Sequence, residues 1–147
     1  MPRHIEFTVY ATPTPQGSMK GFVLPGKNGA KARAILTSDN SKLRPYRQEV
    51  TRSAMVVMSE RGISEPFAEK HVPVSVTMDF YITKPKSAPK KRTYHVVKPD
   101  LSKLVRAAED SMTGVIYSDD AQIVAFSTRK HYGSPERVVI AVVTLEE

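Results

Sequence analysis

Aspartates stand at both ends of a segment that runs from residue 98 to residue 122. Asp100 opens a helical pattern, and Asp119 and Asp120 follow that pattern after a short apolar stretch. A folded helix of this length could bring both ends into one site. Carboxylates that lie close together repel one another, so such a site commonly holds a cation, and Mg²⁺ prefers oxygen ligands. The spacing therefore points to a metal-dependent enzyme, with helix capping and turn formation as the simpler explanations for each aspartate alone.

A basic run leads into this segment. Between Thr83 and Pro99 no residue is acidic and six are basic: Lys84, Lys86, Lys90, Lys91, Arg92 and Lys98. The run therefore carries six of the seven net positive charges of the chain. A concentrated basic segment beside carboxylates favours phosphate recognition, and a solvated surface loop is the alternative. The expected substrate is a polyanion.

Hydrophobic periodicity predicts the elements that position these residues. Alternating apolar residues indicate strands at residues 4–11 and 74–82, with shorter strands at 22–24, 34–37 and 115–117. Residues 123–132 and 137–145 are predicted to form a closing hairpin around Gly133, Ser134 and Pro135. Pro85 and Pro89 discourage regular structure, so the basic segment should project as a loop. The tip at residues 25–32, with Lys27 and Lys31, is expected to be mobile.

Two helices are predicted, at residues 43–61 and 101–113. The first should begin at a Ser41 cap and end at Gly62, and the second should end at Gly114. The expected buried residues are Tyr46, Val50, Ala54, Val57 and Met58 on the first helix, and Leu101, Leu104, Val105, Ala108 and Met112 on the second. Ser102, Arg106 and Asp110 should form a polar stripe on the second helix. Arg44, Arg47 and Arg52 lie on the exposed face of the first, where they are either phosphate contacts or solvated side chains.

Composition sets the fold class. A chain of 147 residues with 40% hydrophobic content predicts one domain over residues 1–147, with a basic loop at 83–99. The order of elements predicts an α/β (α+β) fold: a mixed β-sheet with two main helices. Cysteine is absent, which excludes disulfides and thiolate metal sites. Neither a membrane span nor a signal-peptide pattern is present, so we expect no membrane association and a cytoplasmic location.

The same segment resembles the RusA-like family of Holliday junction resolvases of phages and prophages. The motifs that carry the resemblance are Lys98-Pro99-Asp100-Leu101, then Leu104-Val105-Arg106-Ala107-Ala108 with Asp110, then Gly114-Val115, and finally Tyr117-Ser118-Asp119-Asp120-Ala121-Gln122-Ile123. The similarity continues weakly to Lys130. The resemblance is specific over roughly the second half of the chain.

The resemblance implies a homodimeric, Mg²⁺-dependent endonuclease that binds four-way DNA junctions and nicks two opposing strands. It implies Asp100 and Asp120 as metal ligands, with Asp119 as their neighbour, and Arg106 in place of a family lysine that acts on the scissile phosphate. The basic segment, together with Lys130, would contact the DNA backbone. Such a protein would act in the cytoplasm of a bacterial host, in recombination and repair.

Two positions depart from the family pattern, in which the helix opens with Asp-x-Asp-Asn. Ser102 replaces the second aspartate and Lys103 replaces the asparagine. Three explanations stay open: a natural junction binder with reduced cleavage, an engineered inactive form, or an active variant that takes its missing carboxylate from elsewhere. Glu109 and Asp110 lie about 10 Å further along the helix, so we do not expect either carboxylate to replace the aspartate missing at position 102.

Other functions also fit the sequence. A junction-binding protein without cleavage is the first alternative, and an RNA- or ribosome-associated basic domain is the second. The third is a structural fold whose basic loop has no ligand. Tyr94 and His95 are candidates for contacts with unstacked bases, and packing of the loop against the core would explain them equally well.

Overall fold

We describe the protein from a computed structural model, which covers residues 3–17, 19–24, 26, 33–38 and 41–145. Its strands are β1 (His4–Val9), β2 (Met19–Leu24), β3 (Arg33–Ser38), β4 (Val74–Ile82), β5 (Ile123–Tyr132) and β6 (Arg137–Thr144). Its helices are α1 (Leu43–Glu60) and α2 (Leu101–Met112), and a short 3₁₀ turn spans Asp120–Gln122. The predicted mobile tip falls outside the described residues, apart from Gly26.

The sheet is mixed, and its strand order is β1-β6-β4-β5. Strand β6 pairs antiparallel with both β1 and β4, whereas β5 pairs parallel with β4. The predicted hairpin of β5 and β6 is therefore wrong, because β4 lies between these two strands. Strands β2 and β3 form a separate antiparallel pair. The α+β class with a mixed sheet and two helices is confirmed.

Residues 133–136 connect β5 to β6 across the end of β4. Gly133 passes directly over Tyr81, and a Cβ at this position would come within 2.8 Å of the tyrosine Cδ1. The Tyr81 ring is held on two sides, by the His131 ring at 4.8 Å and by the Arg137 guanidinium at 3.9 Å. Because the ring has little room to move, glycine is needed at this crossing.

One face of the sheet forms the core. Cross-strand rows of buried side chains run from β1 through β6 to β4, as the registers show: Ile5–Val142–Val76, Phe7–Ile140–Met78 and Val9–Val138–Phe80. The alternation predicted for β1 and β4 is confirmed. On β5 the rows continue into exposed Phe126 and half-buried Thr128 and Lys130, so the core does not extend fully to this edge of the sheet.

Helix α1 buries the residues predicted for it, except that Val57 is only half-buried. Its N-cap is Lys42, without a side-chain cap hydrogen bond, so the predicted Ser41 cap is wrong. Its end is as predicted, since Gly62 adopts φ 63° and donates its N–H to Ser59 O at 3.0 Å.

Helix α2 buries Leu104, Ala107, Ala108, Ser111 and Met112, while Leu101 and Val105 are half-buried. The buried stripe is thus rotated from the predicted one toward small residues. These allow close contact with α1, where the Thr51 hydroxyl donates to Ser111 O at 2.7 Å. Residues 115–117 are buried but do not form the predicted strand, since only Tyr117 takes part in isolated bridges.

Residues 83–99 contain no helix or strand, as predicted. Within the described ranges, none of the helices is both long and apolar enough to cross a bilayer.

Candidate functional site

A pocket of about 500 Å³ lies at the N-terminal end of α2. One wall is the loop of residues 12–17, which is fastened to the helix because Gln16 donates its backbone N–H to Lys103 O at 3.0 Å. The charged side chains that line the pocket are Lys42, Lys98, Asp100 and Lys103. Sequence reasoning did not place Lys42 or the 12–17 loop at this site. The Pro13-Thr14-Pro15-Gln16-Gly17 pattern was the available signal, and it marks only a turn-rich loop.

Asp100 occupies the N-cap position of α2 with an extended backbone, but its side chain makes no cap hydrogen bond. Its carboxylate faces the Lys103 ammonium, at 4.0 Å between Oδ2 and Nζ, and both side chains are about half exposed. An ion pair this exposed contributes little to stability. Asp100 is therefore presented to the pocket and not used to close the helix end.

Ser102 faces a different depression. It lines a groove of about 310 Å³ between α2 and β5, together with Leu101, Val105, Phe126 and Thr128. Asp100 and Ser102 thus line different depressions, and both side chains are exposed at the start of the helix.

The Asp119-Asp120 pair begins the 3₁₀ turn before β5, and the two carboxylates have different roles. Asp119 caps the turn, because its Oδ1 accepts the Ala121 N–H at 2.9 Å. Gln122 completes the cap by accepting the backbone N–H groups of Ser118 and Asp119 at 2.9 and 3.0 Å. Asp120 is exposed and is not the capping residue of the turn. Asp120 is therefore the member of the pair that does not cap the turn.

Four carboxylates influence one another near the C-terminal end of α2. Hydrogen bonding to Asp119 is the main cause that raises the pKa of Asp120, followed by burial and by the charges of Asp119 and Asp110. The same hydrogen bond, after that from the Ala121 N–H, lowers the pKa of Asp119. Burial raises the pKa of Glu109, and the charges of Asp120 and Asp110 add to this shift, while Arg106 opposes it. Asp120 thus lies beside Glu109 and Asp110.

The structure does not bring Asp100 and Asp120 together within one chain. At the end of β5, Lys130 donates from Nζ to Val97 O at 2.7 Å and to Pro99 O at 3.0 Å, which places that end beside the start of α2. Asp120 precedes the other end of β5. Lys130 lies seven positions after Ile123 along this strand, a span of about 23 Å. The expectation that the segment folds its two acidic ends into one site is therefore wrong for the single chain.

The basic residues of segment 83–99 divide into two groups. Lys84 donates from Nζ to Lys90 O at 3.1 Å and to Arg92 O at 2.7 Å, so it closes the loop on itself. The second group comprises four exposed lysines and one half-buried arginine: Lys86, Lys90, Lys91, Lys98 and Arg92. Lys130 on β5 acts in the same way as Lys84, because its ammonium also donates to backbone carbonyl groups of the loop. The exposed group is the one positioned to meet a polyanion.

Tyr94 and His95 also have different environments. Tyr94 is 78% exposed, so it remains a candidate for contact with bases. His95 is only 5% exposed and packs against the Tyr132 ring, with 5.1 Å between ring centroids. Burial, followed by the charge of Lys130, lowers the pKa of His95. This packing indicates that His95 anchors the loop to the core.

Comparison with known proteins identifies the family. Residues 23–143 match the family described as "Endodeoxyribonuclease RusA". The chain belongs to the RusA family. It is also similar to YqaN of Bacillus subtilis strain 168, a protein described as uncharacterized, with 29% identity over 148 residues and 94% of each chain covered.

The RusA family consists of endodeoxyribonucleases that bind branched DNA junctions and are generally metal-dependent. The residues of this chain fit a metal poorly. In the described ranges no group of three histidine, aspartate or glutamate side chains is arranged to hold an ion. The motif Asp100-Leu101-Ser102-Lys103 has no net charge, whereas the Asp-x-Asp-Asn pattern would carry two negative charges.

Proposed function

We propose that this chain recognises four-way DNA junctions and cleaves them slowly compared with RusA relatives that carry aspartate at position 102. One observation carries the proposal: the exposed lysines of segment 83–99 and the lysine-lined pocket occur at the same end of α2. Basic side chains grouped in this way attract the DNA backbone, where phosphates are close together. A junction crossover brings phosphates of several strands near one point, which suits such a surface.

Recognition in this proposal depends on backbone charge and shape more than on base sequence. Lys86, Lys90 and Lys91 would contact phosphates, which position a protein without reading bases. Tyr94 extends from the same segment and would stack on a base unpaired at the crossover. Branched DNA occurs inside the bacterial cell or during phage growth there, so the proposal places the protein in that compartment.

Slow cleavage follows from positions 102 and 103. Serine is neutral and a weak ligand for Mg²⁺, and Lys103 adds a positive charge 4.0 Å from the Asp100 carboxylate. Both changes weaken cation binding at the helix start, because a nearby positive charge repels a divalent ion. Junction binding needs no such ion and should persist.

A homodimer is part of this proposal, because a two-fold protein matches the two-fold symmetry of a junction. The exposed edge of the sheet is the candidate interface. Strand β5 has no partner on its outer side in the described sheet, and it exposes Val124 and Phe126. Exposed apolar residues on a free strand edge are typical of a surface covered by another chain.

Competition binding tests recognition. A labelled four-way junction bound in EDTA should be displaced by unlabelled junction at far lower concentration than by linear duplex of equal length. RNA of equal length should compete no better than the duplex. Equal competition by all three would contradict junction recognition and favour a general basic RNA- or DNA-binding domain.

The second candidate function is a fully active, Mg²⁺-dependent resolvase that nicks two opposing strands. The carboxylates of Glu109 and Asp110 favour it, because they lie beside Asp120 and either is a potential replacement for the aspartate missing at position 102. Since Asp100 lies at the other end of α2, this candidate needs a dimer that brings the two ends together. Arg106, which is exposed on α2, would then stabilise charge on the scissile phosphate.

Arg106→Ala distinguishes the candidates further. The active resolvase predicts that this change lowers the cleavage rate in Mg²⁺ far more than it lowers junction affinity. A junction binder predicts a small loss of affinity and no measurable change in an already slow cleavage rate.

A further inference from the structure

We infer that the pocket at the start of α2 binds a DNA backbone phosphate directly, without a divalent cation. The inference rests on the proposed junction binding, and it assigns a ligand to the pocket. The ligand is a phosphodiester group, held by Lys98 and Lys103 on a surface to which Lys42 also contributes.

The charge of the pocket supports an anion. Among the described residues that line it, the charged ones are three lysines and one aspartate, and the charges of these four side chains sum to +2. A phosphodiester carries one negative charge and is attracted to this surface, whereas Mg²⁺ is repelled by it. The size of the pocket, about 500 Å³, is sufficient for a phosphate with its flanking sugars.

The backbone of α2 adds to this preference. Asp100 does not cap the helix with its side chain, while its carbonyl oxygen accepts the N–H groups of Lys103 and Leu104, each at 3.1 Å. The N–H groups of Leu101 and Ser102 therefore receive no bond from the Asp100 carboxylate. Amide groups at a helix start, together with the helix dipole, favour a bound anion.

Lys103 also affects the charge that Asp100 contributes to the pocket. Its ammonium lies 4.0 Å from the Asp100 carboxylate, close enough to offset that charge within the pocket. In the family pattern this position is asparagine, which is neutral. The positive charge at position 103 thus compensates the one carboxylate that would otherwise repel a phosphate.

Junction binding in EDTA across a series of salt concentrations tests the inference. Lys103→Asn and, separately, Lys98→Asn should each lower the slope of log Kd against log salt by about 0.9, the value for the removal of one phosphate contact. Lys70→Asn is the matched control, because Lys70 is exposed, lies outside the pocket and loses the same charge. Slopes for Lys103→Asn and Lys98→Asn equal to that of Lys70→Asn would overturn the inference.

A metal titration tests whether the pocket lacks a divalent-cation site. Mn²⁺ binding to the free wild-type chain, followed by electron paramagnetic resonance, should show no site that depends on Asp100. The Ser102→Asp/Lys103→Asn double variant should gain such a site. One Mn²⁺ bound per wild-type chain and absent in Asp100→Asn would overturn the inference. Neither result depends on whether junctions are preferred over duplex, so this inference and the proposed function fail separately.

Discussion

At the scale of single residues, adjacent side chains of the same type have different roles. Hydrophobic alternation could not decide which of Asp119 and Asp120 faces the site, because adjacent strand residues point to opposite sides. The structure separates them by role, since Asp119 caps the 3₁₀ turn by accepting the Ala121 N–H, and Asp120 is the first residue of that turn. Hydrogen bonds of this kind depend on the local turn, which hydrophobic periodicity does not describe. The role of Asp120 as a ligand stays a prediction.

Gln122 is a structural residue that sequence reasoning assigned only to a motif. Besides capping the 3₁₀ turn, it donates from Nε2 to Glu69 O at 2.8 Å and to Val72 O at 2.9 Å. Gln122→Ala should lower the free energy of unfolding by about 3 kcal/mol, because it leaves several poorly exposed backbone groups without partners. Urea denaturation measures this. Gln48→Ala, an exposed change of the same type on α1, should be nearly neutral; an equal effect of both would contradict the assignment.

His95 predicts a pH dependence of stability. Its pKa lies below the ordinary value of 6.5, chiefly because of burial, so the folded state keeps the ring neutral. The unfolded chain gains a proton as pH falls through about 6.5, whereas the folded state gains it only at lower pH. The stabilising contribution is therefore complete above that pH and is lost progressively as pH falls below it.

Urea denaturation at about pH 7.5 and about pH 5.5 tests this dependence. The wild type should lose more stability between the two values than His95→Gln does. His4→Gln, a change at an exposed histidine, should behave like the wild type. An identical loss in all three proteins would show that His95 does not contribute.

At the scale of elements, the basic segment combines a backbone that is held by hydrogen bonds with charged side chains that are exposed. Lys84 and Lys130 bind backbone carbonyl groups and hold the loop in shape. Their use could not be read from the sequence, where all lysines of the run look equivalent. The sequence did predict the absence of regular structure, because the prolines at positions 85 and 89 act locally.

This division predicts different effects of neutralising the lysines. Replacing Lys86, Lys90 and Lys91 by glutamine should weaken junction binding and lower its salt slope by about 2.7, since each of the three phosphate contacts accounts for about 0.9. The melting temperature should hardly change, because these side chains are exposed. Lys84→Gln should lower the melting temperature instead. An unchanged salt slope in the triple variant would remove the segment from the interface.

At the scale of the whole molecule, local patterns predicted the elements better than their arrangement. The bounds of β4 and the burial of β1 and α1 follow from periodicity, which depends on near neighbours. The pairing of β5 with β4 depends on contacts between residues about 50 positions apart, and a short connection misleadingly suggests a hairpin. The same long-range arrangement places Asp100 and Asp120 at opposite ends of α2. Their separation could not be predicted from spacing along the chain.

The proposed dimer is a prediction at this scale too. Phe126→Lys on the β5 edge should convert the dimer to a monomer in sedimentation velocity, because a charge would enter an apolar interface. Met55→Lys on α1 is a matched control, since Met55 is 45% exposed and Phe126 is 43% exposed. Loss of the dimer in both variants, or in neither, would place the interface elsewhere.

The proposed function requires that the chain binds junctions well but cleaves them slowly, because of the residues at positions 102 and 103. Its most direct test is the single-turnover cleavage rate of a synthetic four-way junction in Mg²⁺, with protein in excess. We predict that the wild type binds the junction and nicks it very slowly, and that Ser102→Asp/Lys103→Asn nicks two opposing strands at least tenfold faster. A wild-type rate equal to that of the double variant would contradict the claim.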